Sequence, residues 1–264
     1  MNLQNLKQTG RVALPSLFTI ASIAFGFFSI LSAVDNEYSR AGWFIIFAMV
    51  MDGLDGRVAR MVKGESSFGV EMDSLADFLS FGVAPSLLMY FFLLDDFGFW
   101  GYPVAFCYTM CGAMRLAYFN VLAHEGRSSK KYFSGLPVPM AAGILASFVI
   151  CYSLLEVNVA TRSSVLFQYI MPWLFNLMPF VMLALALLMV SKVPYPAFKQ
   201  GTVLRPRSIR ALLFLVALIF MVIRYPQDSI FLLFATYVAS GLAVFMWHLF
   251  AGMPPAPKEE HPPA

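Results

Sequence analysis

The sequence predicts an all-α, polytopic membrane helix bundle of about eight transmembrane helices, and three observations carry that expectation. Of its 264 residues, 59% are hydrophobic and only 12% are charged, and 27 are Phe. Soluble domains run near about 25% charged and do not expose so much apolar surface to water. The apolar residues also gather into runs of roughly 18 or more, the length that crosses a hydrocarbon core as a helix. Finally, Lys and Arg collect on alternate connections between those runs, which is how orientation in a membrane is set.

The first run spans residues 17–34. Lys7 and Arg11 precede it as in a secretory signal, but its apolar core is long for that role and further spans follow, so retention is expected. Spans are then expected at 41–62, 72–94, 99–123, 138–155 and 167–190. The seventh, 209–223, is short and needs Arg210 and Arg224 to snorkel toward the head groups. The eighth is 229–251.

The even-numbered connections hold Lys63, then Arg127, Lys130 and Lys131, then Lys192, Lys199, Arg205 and Arg207, while Lys258 follows the last span. The opposite side offers Arg40, Arg162 and Arg224 beside Asp35, Glu37, Asp95 and Asp96. The expected location is therefore the cell (inner, cytoplasmic) membrane, multi-pass, with both termini cytoplasmic. The net charge of +3 fits loops facing anionic lipid; no nucleic-acid partner is expected. Cys107, Cys111 and Cys151 all fall within spans and read as packing residues. Residues 1–252 read as one membrane-embedded domain, and the Pro-rich segment 253–264 as a disordered tail.

Against this apolar background, "MDGLDGRVARMVKGESSFGVEMDSLAD" (51–77) places Asp52 and Asp55 on the second span and Asp73 and Asp77 on the third. One carboxylate facing lipid at mid-membrane costs roughly 2.5 to 3.5 kcal/mol on insertion scales. Four would cost about as much as a typical protein's whole stability, so they must face a wet cavity, cations, or both. Helical periodicity puts Asp52, Asp55, Gly56 and Ala59 on one face, and Asp73 and Asp77 on one face of the next helix. A tight connection would bring the faces together. Oxygen donors without thiolate or imidazole suit a hard cation, Mg²⁺ or Mn²⁺, and four carboxylates can bridge two such ions. Gly56 and Ala59 leave little side-chain bulk beside the acids, as a nucleotide approaching the backbone would need.

The order D-x-x-D-G-x-x-A-R, eight residues, then G-x-x-x-D-x-x-x-D resembles the signature of the CDP-alcohol phosphatidyltransferases. It runs here as Asp52, Asp55, Gly56, Ala59, Arg60, Gly69, Asp73 and Asp77. Within that family, "SSFGVEMDSLADFLSFGVAPS" (66–86), "MRLAYFN" (114–120), "FSGLPVPMAA" (133–142) and "MVSKVPYPAFK" (189–199) resemble the bacterial and archaeal phosphatidylserine synthases. That subgroup usually carries Pro-Asn before its first span; Pro15-Ser16 stands here, and Thr19 is retained.

The resemblance implies the CDP-alcohol phosphatidyltransferase fold, a cytoplasm-facing catalytic site within 1–252, and a homodimer. It implies transfer of a phosphatidyl group from CDP-diacylglycerol to L-serine with release of CMP. Asp52, Asp55, Asp73 and Asp77 would hold two divalent cations, and Asp77 would also be the catalytic base. Thr19, Asp52, Gly56, Ala59, Arg60 and Gly69 match positions that accommodate the CDP moiety.

Further cations are open to more than one reading. Arg115, inside the fourth span, is either a ligand for a substrate anion or the ion-pair partner of an aspartate. Arg127, Lys130 and Lys131 either meet substrate phosphate or face solvent and lipid. The same chemistry with glycerol phosphate, inositol phosphate or choline as acceptor stays open. So does a cation- or proton-coupled transporter that uses the acids as its ion site, although no inverted repeat is evident.

Overall fold

The computed structural model describes residues 3–62, 67–124, 132–156, 165–191, 193–196 and 224–250. Helix α1 is Leu3–Val34, α2 Tyr38–Val62 and α3 Ser67–Asp77. A π-helical turn, Phe78–Val83, joins α3 directly to α4, Ala84–Phe92. A 3₁₀ segment, Leu94–Trp100, leads into α5, Gly101–His124. Helices α6 (Val138–Glu156), α7 (Val165–Val190) and α8 (Pro226–Phe250) complete the described bundle. The chain is a helical membrane protein. The stretches Leu17–Val34, Phe68–Phe92 and Trp173–Val190 are each long and apolar enough to cross a membrane. Six other expectations meet helices or fall out of view: α2, α5, α6 and α8 cover most of their anticipated spans, while 209–223 and the tail 253–264 lie outside the described residues.

Small residues let these helices approach closely. Ala33, Ala41 and Ala48 are fully buried where α1 meets α2. A Cβ on Gly42 would lie 2.8 Å from the Ile150 side chain and 3.0 Å from the Ala146 carbonyl oxygen, so α2 seats its backbone against α6. Such small-residue contacts hold helices together where lipid removes the hydrophobic drive for association. Helix α6 sits at the centre: Ala141 through Cys151 is buried on every face, the pattern of a helix surrounded by others.

Asn36 closes α1. Its φ of 62° is left-handed. The Asn36 N–H donates to the Ala33 carbonyl and the Glu37 N–H to the Ser32 carbonyl, a Schellman-type end that turns the chain into α2.

Two connections between helices carry short strands. Tyr132–Ser134 (β1) pairs antiparallel with Pro194–Pro196 (β2), with Phe133 opposite Tyr195. Gly135 follows β1 with φ 83°, and its N–H donates to the Val193 carbonyl at 2.8 Å. A Cβ there would meet the Met189 carbonyl oxygen at 2.6 Å, so glycine is required on two counts. This ribbon joins the start of α6 to the end of α7.

Candidate active site

The site forms where acids from the C-terminal half of α2 and from α3 converge, both helices being packed on α1. Oxygens of Asp52, Asp73 and Asp77 lie within 4.8 Å of one another. Like charges so close repel strongly, and a cation between them is the simplest compensation. The donors fit one: all are hard carboxylate oxygens, and Asp77 Oδ1 is buried with no hydrogen-bond partner.

Asp55 lies outside that 4.8 Å cluster but within electrostatic reach of all three acids. It is 7% exposed and accepts a hydrogen bond from the Thr19 hydroxyl of α1. Thr19, anticipated beside the nucleotide, thus has a carboxylate partner within the protein. Gly56, one residue on, is exposed, and a Cβ there would meet nothing within 4 Å. The face beside the acids is therefore open, as close approach of a ligand would require. Gly69 is half-buried in the first turn of α3. Ala59 and Arg60 lie on α2, with side chains outside the described residues. Arg127, Lys130 and Lys131 lie outside them too.

The backbone changes register immediately after Asp77. Within the π-helical turn the Ala84 N–H reaches back to the Leu79 carbonyl. This widened turn packs tightly on α1: Ser80 Oγ donates to the Ser22 carbonyl at 3.0 Å, and a Cβ on Gly26 would strike the Ser80 backbone at 3.0 Å. On the α5 side, the Tyr108 hydroxyl donates to the Phe81 carbonyl at 3.3 Å. Such turns recur at functional sites because they re-aim side chains along an otherwise regular helix.

Charge-seeking sequence reasoning did not single out Ser74 and Asn120. Asn120 Nδ2 donates to Ser74 Oγ at 2.9 Å, and Ser74 lies between Asp73 and Asp77 on α3. The Asn120 amide at the end of "MRLAYFN" was the available signal. It bridges α5 to the acidic helix and fixes the height of the carboxylates.

Arg115 is buried at 7% exposure, with its guanidinium 5.8 Å from the Phe119 ring centroid. Among the described residues it pairs with no aspartate, so the ion-pair reading has no support there.

The fold and site together define a polytopic helical membrane protein with a half-buried acidic cluster whose donors suit a hard cation. The sequence model of the CDP-alcohol phosphatidyltransferases matches residues 12–174, and the chain belongs to that family. It is 36% identical over 233 residues to the CDP-diacylglycerol–serine O-phosphatidyltransferase of Helicobacter pylori, covering 86% of this chain and 89% of that protein. It is 34% identical over 192 residues to the archaetidylserine synthase of Methanothermobacter thermautotrophicus, 72% of each chain. With the CDP-diacylglycerol–serine O-phosphatidyltransferase of Bacillus subtilis it shares 32% identity over 187 residues, 71% of this chain and 92% of that protein.

Proposed function

We propose that this chain is a phosphatidylserine synthase, which transfers the phosphatidyl group of CDP-diacylglycerol to L-serine and releases CMP. The observation that carries the reading is the convergence of Asp52, Asp73 and Asp77 beside the open Gly56 face, in a chain with relatives of 32–36% identity that bear that activity in their names.

Asp52, Asp55, Asp73 and Asp77 would hold two divalent cations, Mg²⁺ or Mn²⁺; bound there, they supply positive charge that stabilises the diphosphate oxygens and the leaving CMP. The protein's own part is positional and acid–base. Gly56, Ala59, Arg60, Gly69 and Thr19 shape the surface on which the cytidine nucleotide lies. Asp77 takes the proton of the serine hydroxyl as its oxygen attacks the phosphatidyl phosphorus. The new P–O bond to serine forms as the P–O bond to CMP breaks. The unpartnered Oδ1 of Asp77 leaves one carboxylate oxygen free for that proton. Arg127, Lys130 and Lys131, on the connection after α5, supply positive charge for substrate phosphate.

The topology that goes with this reading has eight spans in the inner membrane, both termini and the acidic end cytoplasmic, and two chains forming a homodimer. Residues 1–252 then form the single catalytic domain.

The test is acceptor-dependent CMP release by the purified protein. CDP-diacylglycerol with L-serine should release CMP, whereas glycerol 3-phosphate, inositol phosphate and choline should elicit little. Faster release with any of those three overturns the choice of serine; no release with any acceptor overturns the transferase reading.

A further inference from the structure

Arg115 is the buried charge that donor chemistry leaves unused. Its Nε has no hydrogen-bond partner. Among the described residues no carboxylate forms an ion pair with it. A guanidinium inside a membrane helix without an anion is costly, which favours an anion that arrives with a substrate. Its neighbours are the Phe119 ring and, within electrostatic reach, the hydroxyls of Tyr118 and Tyr237. Tyr237 is buried at 8% exposure on α8, beyond residues 12–174, where the family's sequence model matches.

The height of Arg115 is fixed by two contacts. Ser74 meets Asn120, and a Cβ on Gly112 would lie 3.7 Å from the Gly82 Cα. The acidic helix and α5 therefore run antiparallel in one register that puts the Arg115 backbone level with Leu79 along the bundle axis, within about one helical turn of the level of Asp77.

Resting on the serine-transfer reading above, we propose that Arg115 and Tyr237 form the subsite for the acceptor's carboxylate, so that α8 takes part in selecting an amino acid as acceptor. Arg115 offers a planar fork of N–H donors suited to a carboxylate, and the Tyr237 hydroxyl adds one more donor. The Phe119 ring keeps the guanidinium plane in place. A serine whose hydroxyl lies at Asp77 carries its carboxylate on the next carbon but one, a reach that matches a group within one turn. The donor's diphosphate is provided for at the aspartates, which leaves this cation for the acceptor.

The experiment compares L-serine, L-serine methyl ester and ethanolamine as acceptors for the full-length protein in detergent with CDP-diacylglycerol. The ester masks the carboxylate and ethanolamine lacks it. Tyr237→Phe should raise the KM for L-serine about tenfold, the effect of one lost hydrogen bond to a charged group, and leave the KM for CDP-diacylglycerol unchanged. Arg115→Gln should erase the preference for L-serine over ethanolamine. An unchanged serine KM in Tyr237→Phe, or a rise in the CDP-diacylglycerol KM instead, overturns the subsite, and the second result assigns Arg115 to the donor phosphate. Because Tyr237→Phe is nearly isosteric, the test stands even where Arg115→Gln does not fold. A wild-type protein that releases CMP with another acceptor but not with L-serine overturns the function reading and the subsite together; serine-dependent release with unaltered variants overturns the subsite alone.

Discussion

The Thr19 hydroxyl of α1 donates to the Asp55 carboxylate of α2, so the first helix reaches into the acidic site. Asp55 is buried just outside the close cluster of Asp52, Asp73 and Asp77, and its orientation depends on that hydroxyl. Thr19→Val keeps the shape and removes the donor. Groups that orient metal ligands typically govern about 10- to 100-fold in metal affinity. The concentration of Mg²⁺ or Mn²⁺ giving half-maximal CMP release should rise by that order, with a smaller change at saturating metal. Activity that survives exhaustive chelation in the wild-type protein would contradict the premise.

The open Gly56 face makes a separate prediction. Nothing in the protein lies within 4 Å of a Cβ at Gly56, so Gly56→Ala should fold and melt like the wild type. Any loss must come from a ligand that approaches the helix. Overpacking a close contact costs roughly 1 to 3 kcal/mol, so the KM for CDP-diacylglycerol should rise about tenfold while that for serine holds. Gly53→Ala, equally open in the unliganded protein, provides the comparison. Equal effects from both variants would point to helix stiffening and away from a nucleotide contact.

Much of this site was legible because carboxylates in an apolar run are so costly that their presence demands a purpose. Helical periodicity alone placed Asp73 and Asp77 on one face, and the structure brings both to Asp52. Local spacing could not separate Asp55 from the other acids, since its Thr19 partner lies a whole helix away in the chain. The π-helical turn after Asp77 was equally hidden. It depends on Ser80 meeting Gly26 and Tyr108 meeting Phe81, contacts between helices that no periodicity encodes. The β1–β2 ribbon pairs segments on either side of two helices, and three-residue strands leave no period-two pattern to detect.

In the proposed reaction Asp77 is the base, and that role separates from binding. Asp77→Asn removes the proton acceptor but keeps the shape and one oxygen. General-base contributions are typically about 100- to 10,000-fold, so kcat should fall by that range while CDP-diacylglycerol binding, measured by calorimetry, changes little. Asp52→Asn should instead weaken metal and donor binding together. Near-normal turnover in Asp77→Asn would falsify the assignment.

The turn that carries Asp77 into the core supplies the last prediction. Tyr108 is fully buried and its hydroxyl donates to the Phe81 carbonyl within the π-helical turn. Widening a helix by one residue per turn leaves carbonyls without their usual partners, and in a membrane interior no water replaces them. Tyr108→Phe removes only the donor, because the ring stays in the same packed site. The loss should cost about 1 kcal/mol of stability, in line with hydrogen bonds inside membrane bundles, and lower the Tm in detergent. Since Asp77 immediately precedes the turn, kcat should fall with both KM values nearly unchanged, as expected when a base is displaced and the binding surfaces are not. A lower Tm with full kcat would make Tyr108 a stabilising residue only, and would detach the register of this turn from the position of Asp77.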